Sequence, residues 1–421
     1  MNKVLGIILA GGAGERLYPL TRDDAKPFLP FGGIYRIIDI TLSNCINSGL
    51  RKICILTQHK ALSLNRHVRD AWNMLAPGLG EFIEILPPTR RVRETWYLGT
   101  ADAVYQNIPS IEAENPQFAL VPSADHVYKM NYEHMLDWHR EHRADVTVAT
   151  TQVEPCEASR FGIVRMKPDF SIVGFEEKPQ HDLPERSCFN PEACSASMGI
   201  YLFSTPMLLA ALRQDAENPH SSHDFGRDVL PALIGTCRMV AYDFIDENRK
   251  DVRYWRDVGT LDAYYAANMD LLSINPVFNL YDTEWPIRTV SLILPPAKFV
   301  LAEEGHRMGL ALNSLVSHGC IISGARVVES VLSPGVRVDE GTEIANSILF
   351  PNARIGRRCR IRRAIIDQNV EVPDNTQVGF DPGTDRNAGY FVTDSGIVVV
   401  GRTFTGERAE DPETRAVAPL A

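Results

Sequence analysis

Apolar and polar residues alternate in blocks over the first two thirds of the chain. Short apolar runs predict buried strands, and the amphipathic stretches between them predict helices. The predicted strands cover residues 4–10, 53–57, 117–123, 144–153, 163–166 and 198–203. The predicted helices cover residues 61–73, 102–112, 132–142, 206–215 and 261–272. This order indicates an α/β fold with a mainly parallel sheet and helices on both faces.

From about residue 316 the hydrophobic pattern becomes a short repeat. Apolar pairs lie six positions apart, at Ile322/Val328, Val338/Ile344, Ile355/Ile361 and Val372/Val378, with Leu332, Leu349 and Ile366 between them. Equivalent positions recur every 16 or 17 residues, with glycines such as Gly356 and Gly379 at corners. Three short strands per turn predict a left-handed parallel β-helix of the hexapeptide type. A sandwich of antiparallel strands is the alternative, although the repeat contains no Asn-Gly or Asp-Gly hairpin turn.

The change of pattern divides the chain into parts. We expect an α/β domain over residues 1–275, an ordered connector over 276–315, a β-helix domain over 316–405 and a frayed tail over 406–421. A chain of 421 residues is also too long for one ordinary core.

Composition narrows the function classes. The chain is 44% hydrophobic and 23% charged, which is typical of a globular protein in water, and its net charge of −10 argues against nucleic acid as a partner. No apolar stretch reaches the ~18 residues of a membrane span, and the chain begins with a strand and not with a signal sequence. Eight scattered cysteines without a C-x-x-C pair predict reduced thiols and a cytoplasmic location.

The first predicted strand runs directly into a glycine-rich loop. The loop and its downstream cations are Gly11, Gly12, Gly14, Arg16 and Lys26. Without Cβ atoms, the backbone N–H groups of such a loop can approach a polyphosphate, and the cations can neutralise its charge. The spacing is not that of a dinucleotide-binding fingerprint, because Leu17 stands where the third glycine belongs, and no Gly-Lys-Ser/Thr of a P-loop follows. An ordinary strand–turn–helix corner is the alternative interpretation.

Two carboxylates are candidate metal ligands. Asp125 ends the apolar run 118–124, and Asp257 lies just before the helix that is predicted to begin at residue 261. A carboxylate at the carboxyl end of a strand points to the ligand crevice and suits Mg²⁺, which prefers oxygen ligands. Taken singly, each residue is equally consistent with a turn or a helix cap.

A third candidate site follows residues 172–173. Glu177 and Lys178 stand before Pro179, where the lysine can provide a point charge for a phosphate monoester and the glutamate can accept from sugar hydroxyls. Small residues at Gly162 and Ser197 would let a sugar ring pack against backbone. A solvated charged turn is the alternative.

With these residues assembled, the chain resembles the glucose-1-phosphate adenylyltransferases, also called ADP-glucose pyrophosphorylases, from about residue 3 to about residue 400. The resemblance rests on the glycine loop with Lys26-Pro27 and on FGG (31–33), RIID (36–39), SNCINSG (43–49), GTADAV (99–104), ASMGIY (196–201), SHDFGRD (222–228), YWRDVGT (254–260) and PPAKFV (295–300). Related sugar-nucleotide pyrophosphorylases share the glycine loop but not the later stretches.

The resemblance implies adenylyl transfer from ATP to α-D-glucose 1-phosphate with Mg²⁺, in a cytoplasmic, allosteric homotetramer that supplies glycogen synthesis. ATP would be bound by Leu9, Ala10, Gly11, Gly12, Gly14, Arg16, Lys26, Gln58 and Gly99. Glucose 1-phosphate would be bound by Tyr97, Gly162, Glu177, Lys178 and Ser197. Asp125 and Asp257 would hold Mg²⁺, and the catalytic set would be Arg16, Lys26, Asp125, Lys178 and Asp257.

The chain also departs from the family. Ala124 stands where the family commonly has glycine before the metal carboxylate, and Ala13 replaces an arginine of many bacterial members. Positions that hold effector contacts in relatives carry Asp23, Asp24, Pro30, Ala113, Asn352 and Gln368, and Arg36 is retained. We therefore expect fructose 1,6-bisphosphate and AMP to act weakly, or through arginines of the β-helix such as Arg357, Arg358, Arg360, Arg362 and Arg363.

Two other functions stay open from the sequence. One is synthesis of a different sugar nucleotide from UTP or GTP, because nothing in the spacing selects adenine. The other is a regulatory subunit that binds nucleotide without turnover. Loss of Lys178 or of either acid would favour the regulatory subunit, and all three residues are present.

Overall fold

A computed structural model describes residues 1–12, 14–58, 60–88, 96–180, 186–301 and 308–402. The predicted tail 406–421 and Ala13 lie outside the described residues. In the first 275 residues the strands are β1 (Val4–Leu9), β2 (Pro30–Phe31), β3 (Tyr35–Arg36), β4 (Lys52–Leu56), β5 (Phe82–Leu86), β6 (Phe118–Pro122), β7 (His126–Tyr128), β8 (Val146–Val153), β9 (Gly162–Met166), β10 (Ile172–Glu177), β11 (Cys194–Ser204), β12 (Met239–Asp243) and β13 (Trp255–Asp257).

The helices of this part lie between those strands. They are α1 (Ile37–Asn47), α2 (Ala61–Ala71), α3 (Thr100–Gln106), α4 (Ile108–Glu114), α5 (Tyr132–Glu141), α6 (Thr205–Ala216), α7 (Leu230–Leu233) and α8 (Leu261–Asp270). No helix of the described residues is both long enough and apolar enough to span a membrane.

The central sheet is mixed. Its strands follow the order β10-β9-β11-β6-β1-β4-β5, with β8 paired to β11 and β12 paired to β8. Strands β6, β1, β4 and β5 run parallel, whereas β11 is antiparallel to β6 and to β8. The parallel half carries the glycine loop, as the sequence predicts.

Strand β1 contributes side chains to two hydrophobic cores, because successive side chains of a strand point to opposite faces of the sheet. Val4 and Ile8 pack with residues of α1, α2 and α5 on one face, while Leu5 and Ile7 pack with residues of α3 and α6 on the other. Burial on both faces explains why the strand reads as an unbroken apolar run.

Several elements differ from the prediction. Helix α1 was not predicted because its residues from Ile37 to Ile46 are all buried, so it shows no alternation of apolar and polar faces. Strands β5, β7 and β12 were not predicted either. The single helix expected over 102–112 is two helices, α3 and α4, which meet at Asn107 just before Pro109.

The later part of the chain is a parallel β-helix. Its strands are β14 (Lys298–Val300), β15 (Leu310–Leu312), β16 (Leu315–Val316), β17 (Ile321–Ser323), β18 (Arg326–Val328), β19 (Val331–Leu332), β20 (Arg337–Val338), β21 (Glu343–Ala345), β22 (Ile348–Leu349), β23 (Arg354–Ile355), β24 (Arg360–Arg362), β25 (Ala364–Ile366), β26 (Glu371–Val372), β27 (Gln377–Val378), β28 (Phe391–Val392) and β29 (Val398–Val400), with helix α9 (Pro382–Asn387) before β28. The strands stack into three sheets whose pairs are parallel, apart from the antiparallel pair β28–β29.

The register of the β-helix follows the predicted repeat. Ile322 pairs with Val338, Val338 with Ile355, and Ile355 with Val372, one residue above the next. One position is corrected, because Val327 and not Val328 pairs with Ile344 in the shorter first repeat. Strands β14 and β15 lie within 276–315, the segment predicted as a connector. The domain boundaries stay a prediction.

The β-helix packs against the α/β part through a shared apolar cluster. Leu17 and Leu20, from the segment after the glycine loop, belong to the same cluster as Val331 and Val399 of the β-helix. The hydroxyl of Tyr265 on α8 donates to the carbonyl oxygen of Asn346 at 2.7 Å. The segment that carries Arg16 and Lys26 therefore lies between the sheet and the β-helix.

Candidate active site

One cleft of about 870 Å³ opens at the carboxyl ends of β1, β4 and β6. Ligands bind at this edge of open α/β sheets. The structure brings all the predicted site residues to the lining of this cleft: Leu9, Ala10, Gly11, Gly12, Gly14, Arg16, Lys26, Gln58, Tyr97, Gly99, Asp125, Gly162, Glu177, Lys178, Ser197 and Asp257. Their individual roles stay predictions.

The three loop glycines differ in what the fold demands of them. Gly14 has a φ of 68°, and a Cβ there would lie 3.0 Å from Thr21 Cγ2 and 3.2 Å from Lys26 Cβ. At Gly11 a Cβ would lie 3.3 Å from Gln58 Cβ, whereas a Cβ at Gly12 would meet no atom of the described residues within 4 Å. The fold therefore requires glycine at position 14 but leaves open space beside position 12.

Lys26 lies between the two candidate metal ligands. Its Nζ is 2.8 Å from Asp125 Oδ2 and 3.4 Å from Asp257 Oδ1, and its side chain is only 8% exposed. The Ser123 hydroxyl donates to the other oxygen of Asp125. Burial opposes ionisation of Asp125, but the Lys26 ammonium holds the pKa of this carboxyl well below its usual range, with smaller contributions from neighbouring groups. Asp125 is therefore ionised at neutral pH.

His126 is a site residue that the sequence reasoning left without a role. It lies opposite Asp257 in the antiparallel pair of β7 and β13, and its Nε2 is 3.4 Å from Asp125 Oδ1. Its ring meets that of Trp255 edge-on, with centroids 5.2 Å apart. The only signal in the sequence was its position directly after Asp125.

These residues fit a divalent cation. One ligand atom each of Asp125, His126 and Asp257 lies within 4.8 Å of the others. Two carboxylate oxygens are the donors that Mg²⁺ prefers, and an imidazole nitrogen beside them would also suit Mn²⁺.

Glu177 and Lys178, at the end of β10, also line the cleft. The Lys178 N–H donates to the Phe161 carbonyl at 3.0 Å, and its Nζ lies 3.1 Å from Glu177 Oε1. A Cβ at Gly162 or at Gly226 would lie 2.7 Å from Glu177 Oε2, so the carboxylate is held between two glycine backbones. Lys178 is 47% exposed and is free to reach a ligand in the cleft.

Gly99 is required by packing. A Cβ there would lie 2.3 Å from the His223 carbonyl oxygen and 2.5 Å from that of Ser222. The same His223 carbonyl accepts the N–H of Ala101 at 2.8 Å, which fixes the start of α3 against the 222–228 segment. Nearby, the Tyr97 hydroxyl accepts from Asn107 Nδ2 at 3.1 Å, and burial raises the pKa of Tyr97, so its phenol stays neutral.

The cleft contains further residues that sequence reasoning did not place in the site. They include Glu15, Thr100, His126, Arg160, Tyr201, Asp224, Gly226, Trp255 and Gly259. Several stand inside the stretches that carry the resemblance, so motif membership was the available signal. A Cβ at Gly259 would lie 2.9 Å both from Arg16 Nη2 and from Asp257 Oδ1, which places the Arg16 guanidinium beside this acid.

The positions expected to differ in effector binding do not form one group. Asp24 is buried and accepts from Arg402 Nη2 and from Gln368 Nε2, the latter at 3.1 Å. Asn352 instead bonds to Asn369, from its Nδ2 to the Oδ1 at 3.3 Å. Asp23 pairs with its neighbour Arg22 on the surface, Pro30 lies in β2, and Ala113 is exposed on α4.

A family model described as nucleotidyl transferase matches residues 5–274, and one described as GlmU-like, C-terminal hexapeptide matches residues 295–400. A protein of Koribacter versatilis named glucose-1-phosphate adenylyltransferase is 58% identical over 406 residues, which cover 96% of this chain and 97% of the relative. Proteins of the same name from Rhodopirellula baltica and Hydrogenovibrio crunogenus are 50% and 47% identical, over 98% and 97% of this chain and 92% and 96% of their own length. The chain belongs to the glucose-1-phosphate adenylyltransferase family.

Membership in the glucose-1-phosphate adenylyltransferase family confirms the predicted resemblance. The hexapeptide model over residues 295–400 and the three stacks of parallel strands confirm the predicted left-handed β-helix. Nucleotidyltransferases of this kind generally use a divalent metal, and the donor set of Asp125, His126 and Asp257 is compatible with one.

Proposed function

We propose that this chain transfers the adenylyl group of ATP to α-D-glucose 1-phosphate, giving ADP-glucose for glycogen or related α-glucan synthesis and releasing pyrophosphate. The observation that carries the proposal is one cleft whose lining includes the glycine loop, Lys26 with the two acids that it contacts, and Lys178. Lys26 with the glycine loop and Lys178 would be the two phosphate-binding groups that a reaction between two phosphorylated substrates requires.

ATP would lie along the glycine loop. Gly12 supports this assignment, because no neighbouring atom demands a glycine there and a polyphosphate is the partner that would need bare backbone. Arg16 and Lys26 would neutralise the phosphate oxygens. Leu9, Ala10, Gln58 and Gly99 would line the nucleoside end of the site.

Glucose 1-phosphate would lie against Glu177 and Lys178. The exposed ammonium of Lys178 would hold its phosphate, and the fixed carboxylate of Glu177 would accept from sugar hydroxyls. Gly162 and Ser197 would let the ring approach the backbone, with Tyr97 beside it.

The chemistry needs alignment more than proton transfer. The phosphate of the sugar is already ionised at neutral pH, so its oxygen can attack the α-phosphorus of ATP without a general base. Pyrophosphate leaves from the opposite side, and Arg16 and Lys26 are placed to stabilise the charge that it gains. Asp125 and Asp257, with His126 beside them, would hold Mg²⁺, which when bound neutralises phosphate charge and orients the triphosphate.

A turnover assay across four nucleotides tests the proposal. With glucose 1-phosphate as acceptor, pyrophosphate release should occur with ATP and be far slower with UTP, GTP or CTP. Preference for UTP or GTP would establish a different sugar-nucleotide synthesis. Binding of ATP without release from any of the four nucleotides would identify a regulatory subunit.

We further infer how the molecule is organised. Residues 1–275 would form the catalytic domain, 276–315 the connector and 316–405 the β-helix domain. A homo-oligomer, a tetramer as in the family, would cover apolar residues that are exposed near the first coil, such as Ile293 and Phe299. A cytoplasmic location would suit eight cysteines that are all free thiols.

A further inference from the structure

A buried ion cluster joins the end of the β-helix to the segment before Lys26. Arg402 donates through Nη2 to Asp24 and through Nε to Asp367 Oδ2 at 3.1 Å. Gln368 Nε2 donates to the same oxygen of Asp24. The side chains of Asp24 and Asp367 are each only 4% exposed. Asp24 lies two residues before Lys26, while its partners all lie at the last coil of the β-helix.

The same coil contacts this segment at two more points. The ring of Phe391 meets that of Tyr18 edge-on, with centroids 6.5 Å apart. A Cβ at Gly401 would lie 3.7 Å from Pro19, so the two backbones are close neighbours. Residues 14–26 are therefore held by the β-helix along their length.

The segment is also fixed on the side of the cleft, at Gly14 and at Lys26. Thr21 Oγ1 donates to the Gly14 carbonyl at 2.8 Å, and Lys26 Nζ contacts both Asp125 and Asp257. A shift of the segment would thus move both Arg16 and Lys26 relative to the acids.

We propose that Asp24, Arg402 and Asp367 form a positioning clamp, by which the last coil of the β-helix holds residues 14–26 so that Arg16 and Lys26 stay aligned with the acids. A charge buried with its partner is hard to move, because separation leaves each charge unpaired in a medium of low polarity. None of the three residues lines the cleft, so the clamp acts only through the segment that it holds.

The test compares Arg402→Gln and Asp24→Asn with Arg354→Gln. Arg354 is an exposed arginine of the β-helix that pairs with Glu371 at 3.6 Å, and it is the matched control. Hydrogen exchange of the full-length protein should become faster at amides 14–28 in both clamp variants and stay unchanged in the control. The double variant should exchange no faster than Arg402→Gln alone, because Arg402→Gln already removes the contact between Arg402 and Asp24.

Steady-state kinetics give the second readout, which alone rests on the proposed function. Each clamp variant should lose about tenfold in kcat, with KM for glucose 1-phosphate nearly unchanged, because small misplacements of aligning groups are costly. Unchanged exchange at 14–28 in both single variants would overturn the clamp. Additive effects in the double variant would also overturn it, because they would mean independent sites. Absence of ADP-glucose synthesis in the parent protein would refute the proposed function while the exchange data still decide on the clamp.

Discussion

At the scale of single residues, the glycines of the cleft separate into two kinds. Gly14 and Gly99 are demanded by neighbouring atoms of the fold, whereas Gly12 has open space beside it. Sequence reasoning grouped them all as nucleotide contacts, because a glycine looks the same in a sequence whatever excludes its side chain. Only the surrounding atoms reveal which glycines a ligand would need.

This distinction gives a paired prediction. Gly99→Ala should lower the melting temperature, because its Cβ would press on two backbone carbonyls that cannot move aside cheaply. Gly12→Ala should leave the melting temperature near that of the parent and raise KM for ATP. Thermal unfolding and ATP kinetics measure the two effects. A Gly12→Ala variant that melts early but binds ATP normally would reverse the assignment.

The second prediction concerns the loss of turnover when Asp125 is replaced by asparagine. Asp125→Asn removes the charge that faces Lys26 and that would hold the proposed metal, so turnover should fall about a hundredfold or more while the fold is retained. The measurement is kcat at saturating Mg²⁺, with circular dichroism as the check on folding. Asp137→Asn is the control, because this acid is 58% exposed on α5. Near-parental turnover of Asp125→Asn would remove this residue from the metal site.

The third prediction concerns Lys178 and compares the KM for glucose 1-phosphate with the KM for ATP. Lys178→Gln should raise KM for glucose 1-phosphate about tenfold or more and leave KM for ATP nearly unchanged, because the lost charge serves one substrate. Initial rates with each substrate varied in turn measure both constants. Lys167→Gln, at an exposed lysine of the β9–β10 turn, should change neither. Equal effects on both substrates would place Lys178 elsewhere.

At the scale of elements, the hydrophobic periodicity predicted the strands of the β-helix, because the structure repeats there with the same spacing as the sequence. The stacking of Leu332, Leu349 and Ile366 follows the predicted spacing, because each coil must place its apolar residue above the previous one. Helix α1 and strand β12 were not predicted from the sequence. Nearly all of their residues are buried, so they lack the alternation of apolar and polar positions that identifies an element. Antiparallel β11 was predicted as a strand, but its direction is set by its neighbours and not by its own sequence.

The packing of α5 on β8 makes stability depend on pH. His139 on α5 is buried, with Nδ1 2.8 Å from Thr147 Oγ1, and burial lowers its pKa from 6.5 to about 4. As the pH falls below 6.5, His139 becomes protonated in the unfolded chain but stays neutral in the folded protein. The free energy of unfolding therefore decreases with acidification. The loss attributable to this residue should be about 2 kcal/mol at pH 5.

Unfolding midpoints at pH 7 and pH 5 test this expectation. The parent protein should lose more between the two values than His139→Gln, whose side chain does not titrate. His220→Gln, at an exposed histidine, should behave as the parent does. The same acid sensitivity in His139→Gln and the parent would assign the effect to other groups.

At the scale of the whole molecule, the two parts of the chain meet at Asp24, which is one of the positions where the sequence analysis expected a departure from the family. The sequence indicated that cations are missing at these positions, but it did not indicate that Asp24 would be paired with Arg402, because the partners are separated by most of the chain. The glycine loop and Asp125 could be predicted as cleft residues because both follow strands of the central sheet at its carboxyl edge. The family resemblance supplied most of the other lining residues, and Asp257 lies on β13, which pairs with β7 outside that sheet.

Regulation provides the prediction at this scale. Fructose 1,6-bisphosphate and AMP should change the rate only weakly, because Asp24 adds negative charge where a phosphate would need a cation, and Arg402 is already engaged. Rates of the parent protein with and without each compound measure this. Strong activation by the bisphosphate together with tight inhibition by AMP would contradict it.

The position of Lys26 between Asp125 and Asp257 has a consequence for how a metal and a triphosphate would affect each other's binding. The Lys26 ammonium is a counterion of both carboxylates, so under the proposed function a metal would compete with it for the same oxygens. A triphosphate offers the ammonium a new partner and releases the acids to the metal. Each of the two ligands should therefore tighten the binding of the other by the same factor, which titrations of either ligand with and without the other would measure.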